Sequence, residues 1–395
     1  MLFRSALLSG VFWAVFLAGV RVAAVPPEDC GQDDRAAIED AARQTMAWIQ
    51  RNQLPDGTYV YEYNGYTNEL TPQYNNVRHA GVTMSLYQAY GKFSETETLN
   101  TADRALEWML ENTVRRDSWA ALAPSGTYAE LGASDLMLVS LEERRLATGD
   151  TQYDELMREL ARFIVSLQRE DGGFYIGYDL VADEPQREGT SRYYPGESLL
   201  GLAMLHNAFP DEGWDEPAWK ALEFITTQRD EVEGVDFPPL PDQWTAMAIG
   251  EMASWGLTGQ QTDYVHRLAA RFGLLVRTEA QRQGSWYGLA TKGRHARGAG
   301  AGTWIEGITG LWRAAWGDDR LADIREPLKE RAVCMSGIMA ENQVTAEEAT
   351  EYGRPDVAQS AWFSEGVTRM DDQQHVLSGL IFTLDAMEGF RDRAR

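Results

Sequence analysis

Apolar positions along this chain come in two alternating textures. Residues 34–53 place Ile38, Ala41, Ala42, Thr45 and Ile49 on one stripe with charges opposite, the spacing of a helix with a single dry face. Residues 80–90 are small or apolar all round, which describes a helix buried on every side. The alternation repeats five more times. One-sided outer helices are expected at 96–113, 152–169, 216–228, 261–281 and 321–341, and all-round apolar inner helices at 134–146, 196–207, 243–255, 304–316 and 373–387. An inner stretch reads Leu199-Leu200-Gly201-Leu202-Ala203-Met204-Leu205, where Gly and Ala let backbones approach closely.

Connection lengths separate the two ends of this array. Links from inner to outer helices, such as 147–151 and 317–320, are as short as those of antiparallel helical neighbours. Links from outer to inner helices are long: 54–77, 115–133, 170–195, 229–242, 282–303 and 342–372. Long loops inside a compact domain usually carry function, so six on one face place a site there. The last inner stretch, with Leu377, Leu380, Ile381, Phe382 and Leu384, is as apolar as the middle ones, whereas an open solenoid needs polar terminal repeats. The expected fold is therefore all-α, a closed ring of six outer–inner hairpins. Closure would make neighbours of Cys30, before the first outer helix, and Cys334, in the sixth. A disulfide between them is expected, worth up to about 4–5 kcal/mol in the chain-entropy description; a free buried Cys334 is the alternative.

The first 24 residues read as a secretory signal, with Arg4 before an apolar run over 5–20 and small residues at Val22 and Ala24. Cleavage after Ala24 would leave one domain over 25–395, in the periplasm or outside the cell, with no transmembrane span. An uncleaved membrane anchor is the alternative. The chain has 36 basic against 60 acidic residues, and losing Arg4 and Arg21 makes the remainder more acidic still. That charge argues against a nucleic-acid partner and otherwise suits a solvated surface. Two cysteines exclude a four-Cys zinc site, and no metal constellation, Walker, dinucleotide or Gly-x-Ser-x-Gly pattern appears. No cofactor and no metal are expected, a calcium site of loop carboxylates staying open.

Three segments that open inner helices, Arg78-His79-Ala80-Gly81, Tyr194-Pro195-Gly196-Glu197 and Asp242-Gln243-Trp244, carry a resemblance. With the hairpin architecture, the chain resembles the six-hairpin (α/α)6-toroid superfamily of glycosidases, lyases and sugar epimerases, no single family being identified. A weaker resemblance is to terpene-cyclase-like toroids, through Gln168-Arg169-Glu170-Asp171-Gly172-Gly173-Phe174 and Gln281-Arg282-Gln283-Gly284-Ser285-Trp286. The Asp-x-Asp-Asp signature of those cyclases is missing.

In such a ring all six inner helices start at the long-loop face, so their partial positive ends converge there and favour anionic groups. Residues in those loops and first turns are the candidates, among them Glu130, Tyr193, His295, Arg369, Asp371 and His375. Hydrolysis of a glycosidic bond calls for two carboxyl groups, about 5–5.5 Å apart for retention and about 6.5–9.5 Å for inversion. Glu197 and Asp242 are expected to face each other across the centre, with Asp135 or Asp372 as substitutes. The helix dipole should keep Glu197 charged, as a base or nucleophile, while Asp242 beside Trp244 supplies the acid. Each has a structural reading as well: Asp242 and Asp371 or Asp372 as helix caps, Glu306 as the closing residue of a Thr303–Glu306 capping box. His79 is a proton donor, an anion ligand or a packed core histidine. Tyr74, Asn75, Arg78, Tyr194, Trp244, Trp304 and Glu306 are expected to contact substrate. The basic stretch Lys292-Gly293-Arg294-His295-Ala296-Arg297 reads as a clamp for an acidic ligand through Arg294 and Arg297.

The expected partner is a carbohydrate, and the leading reading is an exported enzyme that hydrolyses an acidic or neutral polysaccharide or oligosaccharide. Uronate elimination or epimerisation, using His79 and a Tyr, is the second reading. A non-catalytic carbohydrate-binding or envelope-assembly protein and a cyclase-like toroid are the others.

Overall fold

The computed structural model describes residues 2–234 and 240–389. Helix α1 spans Leu2–Ala24 and leaves Phe12, Trp13, Phe16 and Leu17 exposed. No described helix is long and apolar enough to cross a membrane. Outer helices α2 (Arg35–Arg51), α4 (Thr96–Glu111), α6 (Asp154–Ser166), α8 (Asp215–Thr227), α11 (Gly259–Gln283) and α14 (Arg325–Glu341) alternate with inner helices. The inner set is α3 (Asn76–Phe93), α5 (Leu131–Thr148), α7 (Tyr194–Ala208), α10 (Gln243–Glu251), α13 (Gly298–Gly317) and α17 (Met370–Glu388). Short helices α9 (Arg229–Val232), α12 (Trp286–Lys292), α15 (Ala346–Ala349) and α16 (Pro355–Ala358) lie in the links.

Burial follows the two textures. In α2 the stripe Ile38, Ala41, Ala42, Thr45, Met46, Trp48 and Ile49 is buried, and Asp34 caps its start by accepting from the N–H groups of Ala36 and Ala37 at 2.9 and 3.1 Å. In α7 every residue from Pro195 to Leu205 is buried, because neighbours press on all sides. The inner helices pack in the cyclic order α3, α5, α7, α10, α13, α17 and back to α3, which closes the ring. Glycines set the spacing: a Cβ on Gly310 of α13 would lie 2.7 Å from the Ala246 carbonyl oxygen of α10.

The long loops hold eight short strands among the described residues, none longer than three residues and so too short to show a period-2 signal. They are β1 (Glu62–Asn64), β2 (Glu69–Leu70), β3 (Thr113–Arg115), β4 (Ala120–Leu122), β5 (Tyr128–Glu130), β6 (Gly177–Asp179), β7 (Glu184–Pro185) and β8 (Val367–Arg369). Antiparallel sheets run β2-β1-β8, β3-β4 and β5-β6-β7. The first sheet joins the first long loop to the last, with Glu62 opposite Arg369. Cys30 and Cys334 form the expected disulfide at the same junction, across 304 residues of sequence.

Candidate active site

The first turns of the inner helices meet at the long-loop mouth, and charged groups fall into two sectors there. In the α13–α17–α3 sector, Asp372 is fully buried and accepts from Arg297 Nε and Nη2 at 2.9 and 3.0 Å, Ala299 N–H at 2.8 Å and Arg369 N–H at 2.8 Å. This one carboxyl fastens α13 to α17. Burial raises its pKa while the Arg297 guanidinium opposes the rise. Asp371 sits 3.0 Å from Arg78 Nε and 3.1 Å from Arg369 Nε, and Arg78 also donates to the Tyr61 hydroxyl.

One turn deeper on α17, His375 Nδ1 lies 2.8 Å from Oε2 of Glu306, which is fully buried on α13. The Trp244 ring of α10 adjoins the imidazole, centroids 5.8 Å apart. The His375 side chain keeps 12% exposure, and its Nε2 has no partner among the described residues. Burial pulls its pKa down, but the negative Glu306 and their hydrogen bond outweigh burial, so the net shift is upward. Burial raises Glu306 as well, against the pull of His375.

Among the described residues, the N-terminal ends of α5 and α7 carry carboxyl groups and no guanidinium. Tyr194 donates its hydroxyl to Glu130, and Ser198 Oγ lies 3.0 Å from both oxygens of fully buried Asp135. Glu197 Oε2 has no hydrogen-bond partner among the described residues and sits 2.6 Å from where a Cβ on Gly132 would be. Burial first, then Asp135, Glu130 and Asp242, push the Glu197 pKa well above the ordinary range, and burial does the same to Asp135.

Several expected roles change. Glu197 is pushed toward its neutral form rather than toward the charged one, because burial beside like charges works against the half-charge of a helix end. Its Oε2 turns toward Gly132 of α5, while the Asp242 charge still acts on it. Asp242 caps α10 through Thr245 N–H at 3.0 Å, takes the Thr245 hydroxyl at 2.7 Å and pairs with the buried Arg229, so it is an ion-paired cap and not a free acid. His79 is buried between α3 and α4, its Nδ1 taking the Tyr74 hydroxyl at 2.6 Å and its Nε2 facing the Ala105 carbonyl at 3.0 Å. Neither nitrogen is left for a substrate, and burial lowers its pKa to about 4. Tyr74 and His79 thus form core packing, and Asn75 caps α3 by accepting from Arg78 N–H at 2.9 Å.

The expected Thr303–Glu306 capping box does not form, because α13 starts at Gly298 and both residues lie inside it. Trp304 is half-buried against the core. Arg294 is 85% exposed and pairs with Glu365 outside the mouth, so the clamp loses that member while Arg297 turns inward. Neither Arg229 as the partner of Asp242 nor the joining of His375 to Glu306 is visible in the order of residues along the chain. A usable signal for the latter was the spacing of Asp372 and His375, three apart on one helical face.

The ring, its hairpin order and the loop-side mouth define an (α/α)6 toroid. No family model matches the chain, and no curated protein matches it in sequence. Among solved structures it is similar to the α-1,6-mannanase GH76A from Salegentibacter sp. HEL1_6, at TM-score 0.58 and 14% identity over 90% of this chain and 99% of that one. It is also similar to cellobiose 2-epimerase from Spirochaeta thermophila DSM 6192, at TM-score 0.59 and 13% identity over 90% and 97%. A D-mannose isomerase matches at TM-score 0.56 and 11% identity over 89% and 98%.

Proposed function

We propose that this is an exported carbohydrate-active enzyme that moves a proton on a sugar held at the loop-side mouth, with His375 as the acid–base group. The observation that carries the reading is the His375–Glu306 pair beside Trp244: one imidazole nitrogen is fixed by a carboxylate while the other is free of protein partners. Glu306 fixes the tautomer and stabilises the imidazolium, and Trp244 offers an apolar wall for a sugar ring. The epimerases and the isomerase that share the fold support proton transfer.

The second reading is glycosidic hydrolysis, as in the mannanase neighbours, one of them solved with α-1,6-mannotetrose. It is favoured by Glu197, a carboxyl whose pKa burial pushes upward, the direction a general acid requires.

The purified protein is to be assayed on neutral and uronate saccharides for epimer ratio, unsaturated product and new reducing ends. Loss of at least about 100-fold in turnover in His375→Gln and Glu306→Gln, with Glu197→Gln spared, supports proton transfer. The base form of His375 is needed to accept a proton, so activity should rise with pH through a midpoint above about 6.5. New reducing ends that vanish in Glu197→Gln and persist in His375→Gln would select hydrolysis instead.

A further inference from the structure

We infer that the α13–α17–α3 sector is a binding subsite for an oxyanion substituent on the sugar, the planar carboxylate of a uronate fitting it best. The inference names the substrate class of the proposed enzyme and rests on that reading for its sugar.

Three guanidiniums meet there, one from the start of each of three consecutive inner helices: Arg297 of α13, Arg369 of α17 and Arg78 of α3. Each is held from behind. Arg297 spends Nε and Nη2 on Asp372, Arg369 sets Nε and Nη2 against Asp371, and Arg78 uses Nε on Asp371 and Nη1 on Tyr61. One terminal nitrogen of each therefore has no partner among the described residues: Nη1 of Arg297, Nη1 of Arg369 and Nη2 of Arg78. Their side chains keep 30%, 20% and 30% exposure, so these donors reach solvent at the mouth.

The counter-charges matter. Asp371, Asp372 and the neighbouring Glu62 offset the three arginines, so net charge does not make the site. Directed N–H groups do: Asp372 takes the Nε–Nη2 edge of Arg297, Asp371 takes Nη2 of Arg369, and Asp371 with the Tyr61 hydroxyl holds Arg78, which leaves one terminal nitrogen of each for a ligand. An oxyanion gains those donors without paying to order the side chains. Asp371 and Asp372 stand about one turn before His375 on α17, which places the subsite beside the proposed acid–base group. A carboxylate docked there would have its charge met by guanidinium donors, the condition that eases removal of a proton from the adjacent carbon.

The test is calorimetric binding of uronate trisaccharides (galacturonate, glucuronate, mannuronate and guluronate) against their carboxyl-reduced counterparts, with glucose 6-sulfate, glucose 6-phosphate and glucose alongside. The expected result is at least about 10-fold tighter binding of one acidic trisaccharide than of its reduced form, weakening as salt rises. Arg369→Gln and Arg78→Gln should bring that ratio below about 2 while melting within a few degrees of the parent. A second pair, Arg369→Lys and Arg78→Lys, keeps the charge without the fork and should recover little of the ratio. A preference led by the sulfate or phosphate sugar supports the subsite and replaces the carboxylate by that anion. Equal binding of acidic and reduced sugars throughout the panel, or an unchanged preference in both Gln variants, overturns it. His375→Gln separates the two proposals: it should abolish turnover and leave the acid preference intact, and turnover surviving in it would sink the proton-transfer reading alone.

Discussion

Across the mouth of the ring, the α5–α7 seam and the α13–α17–α3 sector are both built from buried carboxyl groups on inner helices. In the first, Glu197 and Asp135 lack a cation and burial drives their pKa values well up. In the second, guanidiniums or an imidazole stand against each carboxyl, and the upward pull of burial on Asp372 and Glu306 is opposed. A helix terminus supplies about half a charge, too little to hold a buried carboxylate alone. Burial therefore raises the carboxyls of both sectors, and the neighbouring cations oppose that rise in the second alone.

The comparison can be broken most forcefully at Asp372. Asp372→Asn leaves Arg297 half-buried without its counter-charge and removes one of the two acceptor oxygens shared by Arg297, Ala299 and Arg369, so a loss of about 3–5 kcal/mol is expected. Urea unfolding measures it, and a loss below about 1 kcal/mol would mean that the pair is not what joins α13 to α17. The opposite sign is expected in the other sector. The folded pKa of Glu197 lies above its unfolded value, so its contribution is complete below about pH 4 and declines as pH rises toward the folded pKa. Glu197→Gln should therefore melt higher than the parent near neutral pH, by about 1 kcal/mol, with a smaller gain at about pH 4. Melting curves at both pH values check it; a variant less stable at neutral pH contradicts the neutral, unpartnered carboxyl. The smallest effect belongs to Arg294, whose pairing with Glu365 is exposed: Arg294→Ala should shift the melting temperature by no more than about 1 °C and leave binding of acidic sugars unchanged.

How much of this was legible depended on how locally it was encoded. The hairpins were legible because one-sided and all-round burial write different periodicities, as α2 and α7 show. The disulfide was legible because only closure brings Cys30 to Cys334. The start of α13 was not. Gly298-Ala299-Gly300-Ala301-Gly302 reads as a loop on helix propensity, yet Gly302 stands against the His375 backbone, where any Cβ would collide. Tertiary packing selects those glycines and extends the helix, which moves Glu306 from an expected cap to the interior. Asp242 failed for a related reason, its partner Arg229 coming from the preceding link, and periodicity does not say which way a link residue points. Of the two arginines expected to clamp, three residues apart, one turns in and the other out on contacts that only the fold supplies.

The seam that joins the first long loop to the last also constrains synthesis. Until α17 has been made, α3 and α13 each lack the neighbour that covers one side, and strand β1 lacks β8. A growing chain that has completed five hairpins still exposes two apolar walls and an unpaired strand edge, the features that invite association with other unfinished chains. The final thirty or so residues therefore act as a keystone, and truncation within α17 should yield aggregated protein rather than a shortened but ordered ring.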